Sequence, residues 1–367
     1  MLIQPRRARL AGPLTLECGR TLEPVEIAYE VYGELNAARS NAILVCHGLT
    51  SNQHAAGRHQ ADDLRPGWWD QAIGPGKPIA TERWCVIASN VLGGGASTGP
   101  ASIDPASGQP YGPDFPVVTV ADMVDAQARL LDALGIERLH AAVGGCLGGF
   151  QVLTWMSRHP QRLARAVVIS ATARVAAYTI ALWKVMREAL ALDPDWRGGR
   201  YHGQSPPERG VQLMSRIGAL IWMEREALEQ RCGNRLIGDG EQLGYGFDPE
   251  FEVEALFEKI GRGDVARLDP LALVYLMRAM DYFDLARGRR ALADAFEGPP
   301  VPTLLVSYRS DWRYPPAEME KIRQALAQRA WPVTHRTLDS AFGHGAFVYD
   351  SEGVGVLMRS FLEEGTT

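Results

Sequence analysis

A glycine-rich hexapeptide at residues 144–149, Gly-Gly-Cys-Leu-Gly-Gly, limits this chain to very few folds. A short apolar strand is predicted directly before it, at Leu139–Val143, and a helix directly after it, through about Arg158. The arrangement fits glycine–x–nucleophile–x–glycine, in which the nucleophile occupies a strained turn at the tip of a sheet. Glycine is required on both sides because a Cβ would clash where the helix begins close behind the strand. The pattern predicts Cys146 as a catalytic nucleophile.

The same hexapeptide also fits two other kinds of turn. One is a glycine-rich strand–helix turn around a buried core cysteine, and the other is a phosphate-binding loop. No Lys-Ser or Lys-Thr pair follows the glycines, which excludes the P-loop motif. The choice between a core cysteine and a nucleophile depends on whether a matching acid and base follow in the chain.

An acid and a base do follow, in the order that such a site requires. Strands are predicted at Val301–Ser307 and Val333–Leu338. Asp311 comes after the first strand and His344, within Gly-His-Gly, after the second, as in the α/β-hydrolase fold. Either residue alone fits a turn former or a structural histidine equally well. Because all three occur in the correct order, we predict that His344 deprotonates Cys146 and that Asp311 orients the imidazole.

Two backbone amides are expected to stabilise the negative charge that develops on the substrate oxygen. One belongs to Leu147, directly after the nucleophile, and the other most plausibly to Leu49, after the predicted strand Ala42–Cys46. His47 is a second candidate base, but its place in His-Gly-Leu directly after a strand fits an oxyanion loop better.

The alternation of strands and helices predicts an α/β-hydrolase fold, a mostly parallel central sheet flanked by helices, with an inserted helical lid. We predict the core at residues 1–171 and 301–367 and the lid at residues 172–300. Helices are predicted within the lid at Thr179–Ala191, Glu208–Gln230, Phe251–Ile260 and Leu271–Tyr282.

Composition narrows the partners and the compartment. The chain has 38 basic and 43 acidic residues, a net charge of −5 and no arginine-rich stripe, so we expect no nucleic-acid partner. No apolar run is long enough to span a bilayer, and the first residues do not resemble a signal peptide. Five cysteines without paired spacing predict a reducing, cytoplasmic location. The eight histidines are scattered, so we predict no metal site.

Longer motifs along nearly the whole chain resemble those of one enzyme family. They are Pro-Gly-Trp-Trp-Asp at 66–70, Ile-Gly-Pro-Gly-Lys at 73–77, Asn-Val-Leu-Gly-Gly at 90–94, Ser-Thr-Gly-Pro at 97–100, Tyr-Gly-Pro-Asp-Phe-Pro at 111–116, Arg-Ala-Met-Asp-Tyr-Phe-Asp at 278–284 and Ser-Asp-Trp at 310–312. Together they resemble the homoserine O-acyltransferase family, the MetX-type enzymes of methionine biosynthesis.

The resemblance implies an acyltransferase that works in two half-reactions. An acyl-CoA co-substrate acylates the nucleophile and CoA leaves, after which a small hydroxyl-bearing acceptor takes the acyl group. It implies no bound cofactor. It also implies that the helical insertion covers a tunnel and forms a homodimer through the lid helices.

Several positions depart from the family pattern. The family nucleophile is serine, whereas Cys146 would exchange one thioester for another at little energetic cost. Arg216 matches the lid arginine that the resemblance assigns to the acceptor's carboxylate. Met223 stands where the family has an aromatic partner, and Gly345 where it has an aspartate for the acceptor's ammonium. We therefore expect an acceptor that carries a hydroxyl and a carboxylate. In its other groups this acceptor is expected to differ from the acceptor that the family uses.

Two other functions stay open at the level of sequence. The same triad serves a cysteine hydrolase that acts on an ester or a thioester with water as the acceptor. A non-catalytic binding protein is the third possibility, although the complete set of nucleophile, acid, base and elbow glycines argues against it. Release of CoA that depends on an added alcohol separates the transferase from the hydrolase.

Overall fold

An eight-stranded sheet forms the centre of the computed structural model, which describes residues 1–238 and 242–364. In chain order the strands are β1 (Arg6–Arg9), β2 (Leu14–Thr15), β3 (Thr21–Leu22), β4 (Glu26–Tyr32), β5 (Ala42–Cys46), β6 (Ile73–Gly74), β7 (Ile79–Ala80), β8 (Cys85–Ser89), β9 (Ala141–Gly145), β10 (Ala166–Ile169), β11 (Thr303–Tyr308) and β12 (Val333–Leu338). The α-helices are α1 (Val120–Ala133), α2 (Leu147–Arg158), α3 (Ala177–Ala191), α4 (Glu208–Trp222), α5 (Arg225–Arg231), α6 (Glu252–Val265), α7 (Pro270–Asp281), α8 (Pro316–Gln328), α9 (Ala346–Tyr349) and α10 (Ser351–Glu363).

The central sheet is parallel except at one edge. Its order is β1-β4-β8-β5-β9-β10-β11-β12, and only β4 runs antiparallel to its two neighbours among the described strands. Parallel strands are joined by helical crossovers that cover both faces of a sheet, so the central strands are apolar and buried throughout. The sequence Ala-Ile-Leu-Val-Cys of β5 is buried at every position. This architecture confirms the predicted α/β-hydrolase fold.

The parallel pairing brings four loops to one edge of the sheet. Because parallel strands have their carboxyl ends at the same edge, the segments that follow β5, β9, β11 and β12 meet there. Those segments carry Leu49, Cys146, Asp311 and His344 respectively. The topology therefore gathers residues that lie far apart in the sequence.

Helices α3 to α7 lie between β10 and β11 in the chain, where the sequence predicts the lid. Helix α4 packs against α3 and α6, and α3 packs against α7. The exact lid boundaries, residues 172 and 300, stay a prediction. Residues 239–241 of the predicted lid and residues 365–367 of the predicted core lie outside the described residues.

The predicted helix Glu208–Gln230 is wrong in its length. The structure ends α4 at Trp222, because Met223 and Glu224 adopt extended backbone conformations, and α5 begins at Arg225. The Glu224 carboxylate accepts hydrogen bonds from two backbone N–H groups of the first turn of α5, at 2.6 and 3.2 Å. A capping side chain of this kind starts a new helix, and apolar periodicity alone does not reveal it.

Two further elements differ from the sequence-based expectation. Strand β9 lies at Ala141–Gly145, two residues further along than predicted, so that both elbow glycines before the nucleophile belong to the strand. Helix α8, at Pro316–Gln328, was not predicted between the last two strands. Its burial is confined to a few positions, including Met319 and Ile322, which makes its apolar face short.

Candidate active site

Cys146 occupies a strained turn between β9 and α2. Its backbone φ is +59° and its ψ is −125°, a conformation that side-chain-bearing residues rarely adopt. A Cβ on Gly144 would lie 2.5 Å from the backbone of Gly148, and one on Gly148 would lie 2.0 Å from the carbonyl oxygen of Cys46. The helix can therefore start this close behind the sheet only with glycine at both positions. The backbone has the geometry of a nucleophile elbow.

Asp311, His344 and Cys146 lie side by side at this edge of the sheet. The Nδ1 atom of His344 is 2.8 Å from Oδ2 of Asp311, and both side chains are buried. The backbone N–H groups of Arg313 and Tyr314 donate to the other carboxylate oxygen of Asp311, each at 3.0 Å. The imidazolium and the Cys146 thiolate favour each other's charge, which requires the two side chains to lie close together. The structure thus brings together the three residues that the sequence singles out.

The charges of the site favour a thiolate–imidazolium pair. Burial raises the pKa of the Cys146 thiol, but the Arg313 guanidinium and then His344 outweigh it and bring the pKa down to about 6. Burial lowers the pKa of His344, but Asp311 and the thiolate raise it to about 9. Burial also raises the pKa of Asp311, but the imidazolium holds it below the usual range for a carboxyl. Near neutral pH the charged forms of all three are therefore favoured.

The two predicted oxyanion donors flank the thiol. The backbone N–H of Leu147 helps to lower the pKa of the Cys146 thiol and is the first amide of α2, where the helix dipole adds positive charge. A Cβ on Gly48 would lie 3.7 Å from the Cβ of Cys146, so the loop after β5 passes directly beside the nucleophile. The N–H of Leu49 has no hydrogen-bond partner in residues 1–238 and 242–364. The role of both amides as donors to a negative oxygen stays a prediction.

A group of buried donors beside the thiol was not recognised from the sequence. The Arg313 guanidinium lies 4.4 Å from the ring centroid of Trp183 and 4.9 Å from that of Tyr314. Its Nε and Nη2 atoms, Nε1 of Trp183 and the Tyr314 hydroxyl are all buried without a hydrogen-bond partner among the described residues. Arg313 follows the predicted acid by two residues, and that proximity is the only sequence signal. Unpaired buried donors are rare and call for a ligand or an ion.

Comparison with known proteins decides the family. Residues 41–350 match the model of the alpha/beta hydrolase fold family. The homoserine O-succinyltransferase of Litchfieldella anticariensis is 42% identical over 364 residues, which cover 98% of this chain and 93% of that protein. The chain belongs to the homoserine O-acyltransferase family. This finding confirms the resemblance read from the motifs, and it makes the chain a member of a family of acyltransferases.

Solved structures include both transferases and hydrolases. The homoserine O-acetyltransferase from Bacillus anthracis superposes with a TM-score of 0.91 at 29% identity, covering 100% of this chain and 99% of that one. Esterase E22 superposes with a TM-score of 0.89, also at 29% identity, covering 99% of this chain and 100% of that one. One architecture is therefore shared by acyltransferases and an esterase.

The residues that the resemblance assigns to the acceptor lie on α4, directly after α4 and in the turn that carries His344, and α4 packs against that turn. Arg216, on α4, donates through Nε to the carbonyl of Phe257 and through Nη2 to Gln212, both at 3.3 Å. Met223 directly follows the last residue of α4 and has an extended backbone. For both residues, binding of the acceptor stays a prediction from the resemblance.

The space beside Gly345 is filled by aromatic rings rather than by a carboxylate. A Cβ on Gly345 would lie 3.0 Å from the ring of Tyr349 and 3.2 Å from the ring of Trp222. These two rings stack on each other, with centroids 5.4 Å apart. Trp222 and Glu224, the two neighbours of the predicted Met223, both meet the histidine loop, and the role of Met223 stays a prediction.

Among residues 1–238 and 242–364, one group of side chains has ligand atoms close enough to hold a metal ion. Atoms of Glu30, His54 and His59 lie within 4.8 Å of one another. Glu30 is fully buried and accepts hydrogen bonds from His54 at 2.9 Å, His59 at 2.7 Å and Tyr32 at 2.7 Å. These bonds already satisfy the carboxylate. The predicted lack of a metal site stays a prediction.

No helix in the described ranges has the length and apolar character that crossing a membrane requires.

Proposed function

We propose that this chain transfers an acyl group from coenzyme A to Cys146 and then to the hydroxyl of a small, carboxylate-bearing acceptor. The observation that carries the proposal is the strained elbow at Cys146 together with the bond of 2.8 Å between His344 and Asp311, whose charges act on the thiol. A lowered thiol pKa supplies the nucleophile without a separate activation step.

In the first half-reaction the Cys146 thiolate attacks the carbonyl carbon of the acyl-CoA. A carbon–sulfur bond forms, and the carbonyl π electrons move onto the oxygen, which the N–H groups of Leu49 and Leu147 stabilise. When the intermediate collapses, the bond to the CoA sulfur breaks and the CoA thiolate takes the proton held by His344. One thioester replaces another, so this exchange is nearly neutral in energy.

In the second half-reaction the acceptor's hydroxyl attacks the acyl-Cys146 carbonyl. Neutral His344 takes the hydroxyl proton as the new carbon–oxygen bond forms. The carbon–sulfur bond then breaks, Cys146 leaves as a thiolate, and the thiolate–imidazolium pair is restored. Asp311 keeps the imidazole oriented and stabilises its cationic form throughout.

The buried donors beside Cys146 favour an acyl group with a distal carboxylate. The Nε and Nη2 atoms of Arg313 and Nε1 of Trp183 only donate hydrogen bonds, and the Tyr314 hydroxyl is available to donate. A pocket of unpaired donors with a fixed positive charge binds an anion well, and guanidinium suits carboxylate geometry. We therefore favour succinyl-CoA over acetyl-CoA as the donor.

The acceptor's carboxylate is assigned to Arg216, with Met223 as its neighbour at the end of α4. The two hydrogen bonds that Arg216 makes are long, at 3.3 Å, and leave other guanidinium donors for a ligand. Gly345 offers no carboxylate for an ammonium group. We expect 4-hydroxybutyrate to accept the acyl group about as well as homoserine, whereas 3-amino-1-propanol, which lacks the carboxylate, fails.

A cysteine hydrolase is the second candidate, favoured by the structural similarity to esterase E22. The same two half-reactions then run with water as the acceptor. A site that excludes water would keep the acyl-cysteine intact until an alcohol arrives. The lifetime of the acyl-enzyme without an acceptor therefore separates the two functions.

Intact-protein mass spectrometry tests this choice. The protein is mixed with succinyl-CoA or acetyl-CoA without an acceptor, beside a Cys146→Ala control. A stable adduct on the natural protein alone, discharged by hydroxy acids, is the expected result. Continuous release of CoA without an acceptor would make the hydrolase the better description. If neither an adduct nor free CoA appears with either thioester, the proposed donor is wrong.

We also assign a homodimer through the lid helices. Exposed apolar side chains recur at a spacing of seven on α3, at Tyr178 and Val185, and on α4, at Leu213 and Leu220. Such stripes bury well against a second copy. Sedimentation velocity should find a dimer that Leu220→Glu dissociates, while Val356→Glu, an exposed change on α10, leaves it intact. A monomeric natural protein would refute this assignment.

A further inference from the structure

His47 is a buried histidine directly after β5 that takes no part in the triad. Its Nδ1 atom lies 2.7 Å from the carbonyl oxygen of Gly48. Its Nε2 atom lies 3.2 Å from the backbone nitrogen of Val91. Both ring nitrogens therefore have a hydrogen-bond partner, one in the loop after β5 and the other in the segment just after β8.

These two partners determine the protonation of the ring. A carbonyl oxygen only accepts, so Nδ1 of His47 carries the proton and donates to Gly48. A backbone N–H only donates, so Nε2 is unprotonated and accepts from Val91. Burial also lowers the pKa of His47 to about 4, which keeps the ring neutral. His47 has no free nitrogen to act as the second candidate base.

The bond to Gly48 fixes one peptide unit. In a trans peptide the carbonyl and the following N–H point in opposite directions, so a fixed Gly48 carbonyl fixes the direction of the Leu49 N–H. That N–H is unpaired among the described residues, and Gly48 packs against Cys146. We propose that His47 is a positioning residue that aims the Leu49 amide at the oxyanion by holding the Gly48 carbonyl.

This inference rests on the proposed acyl transfer, since it concerns the same intermediate. Two other hydrogen bonds also hold this part of the loop in place. The Ser51 N–H donates to the same Gly48 oxygen at a longer distance, 3.3 Å, and Gln151 of α2 donates to the carbonyl of His47 at 3.2 Å. Loss of the imidazole donor should therefore loosen the peptide without unfolding the loop.

Two substitutions separate the two hydrogen bonds of His47. In His47→Asn the side-chain amide nitrogen lies near the position of Nδ1, so the donor to Gly48 is retained and the acceptor for Val91 is lost. In His47→Gln the amide lies near the position of Nε2, so the Val91 bond is retained and the Gly48 donor is lost. The pair therefore tests the Gly48 bond against simple packing.

The readout compares two reactions of the same thiol. Acylation of Cys146 by an acyl-CoA develops an oxyanion, whereas alkylation by iodoacetamide displaces iodide and needs no oxyanion hole. We expect His47→Gln to slow acylation about tenfold to a hundredfold and His47→Asn to stay within about threefold of the natural protein. Alkylation rates of both variants should match the natural protein.

Equal loss of acylation in both variants, or a parallel loss of alkylation, would overturn the positioning role. If His47→Gln does not fold, His47→Asn alone decides, since a tenfold loss there contradicts the proposal. If the natural protein ignores acyl-CoA, the proposed function fails separately. The same comparison is then made with p-nitrophenyl acetate, which also forms an oxyanion, and failure of that ester as well overturns both.

Discussion

The alkylation rate of Cys146 as a function of pH tests the charge pair at the centre of the site. A thiol with a pKa of about 6 is about nine-tenths ionised at pH 7, whereas an ordinary cysteine near 8.5 is only about 3% ionised. In the natural protein the rate should rise through a midpoint near pH 6. A second, smaller rise is expected near pH 9, where His344 loses its proton and leaves a freer thiolate.

Replacing His344 with alanine removes the imidazolium but leaves the burial that raises the thiol pKa. The midpoint should shift upward from about 6 by an amount that Arg313 limits, because its guanidinium is the largest single cause that lowers the thiol pKa and stays in place. The second rise should vanish. The rate at pH 7 is a poor readout. Nucleophilicity falls with thiol pKa, so the larger thiolate fraction of a low-pKa cysteine is largely offset by weaker attack per thiolate. The position of the midpoint therefore carries the test.

Iodoacetamide alkylation followed by intact-mass spectrometry between pH 5 and 10 measures both midpoints. A Cys146→Ala protein provides the background from the other cysteines, of which Cys18 is exposed and the others are buried. The reasoning fails if the natural protein alkylates with a single midpoint at 8.5 or above. It also fails if His344→Ala leaves the midpoint near 6.

Three further substitutions follow from the same geometry. Arg313→Met should lower kcat/KM for succinyl-CoA about 100-fold and for acetyl-CoA less than about tenfold, measured by thiol release, because a buried charge-assisted bond contributes about 2–3 kcal/mol; equal losses would contradict the anion pocket. Asp311→Asn should reduce turnover about 100-fold or more. It should also lower the pKa of His344, so that the alkaline limb of the pH–rate profile moves to lower pH. Gly148→Ala should cost more than about 3 kcal/mol of unfolding free energy, because its Cβ would lie 2.0 Å from the Cys46 carbonyl oxygen. The control Gly263→Ala, in open space on α6, should stabilise by about 0.5–1 kcal/mol; similar denaturant midpoints for the two variants would refute the steric argument.

The parts of the site that short sequence patterns encode were predictable. Strand β5 is apolar throughout, and the elbow around Cys146 combines a required backbone shape with a reactive side chain. The positions of Asp311 and His344 follow from the order of strands in the fold. The strand and the elbow depend on residues near each other in the chain, and the acid and base depend on the order of elements along it, so one sequence suffices to find them.

The environment of the thiol could not be predicted in the same way. Whether Arg313 turns towards solvent or under Trp183 depends on side-chain packing between the core and the lid, which spacing does not encode. The grouping of Glu30 with His54 and His59 likewise arises from a strand and a loop that meet only in the folded chain. The end of α4 at Trp222 depends on the carboxylate of a single capping residue, which outweighs an otherwise continuous helical pattern.

The insertion of the lid between β10 and β11 has a consequence for how the protein is made. Cys146 is synthesised before the lid, whereas Arg313 and His344, which ionise its thiol, are synthesised after it. Until β11 and β12 dock, the nascent chain holds a cysteine whose pKa is not lowered by either group, and it is mostly protonated at neutral pH. The ionised thiol therefore arises only when the last strands complete the sheet. In an unfinished or half-folded chain, Cys146 stays in its protonated form at neutral pH.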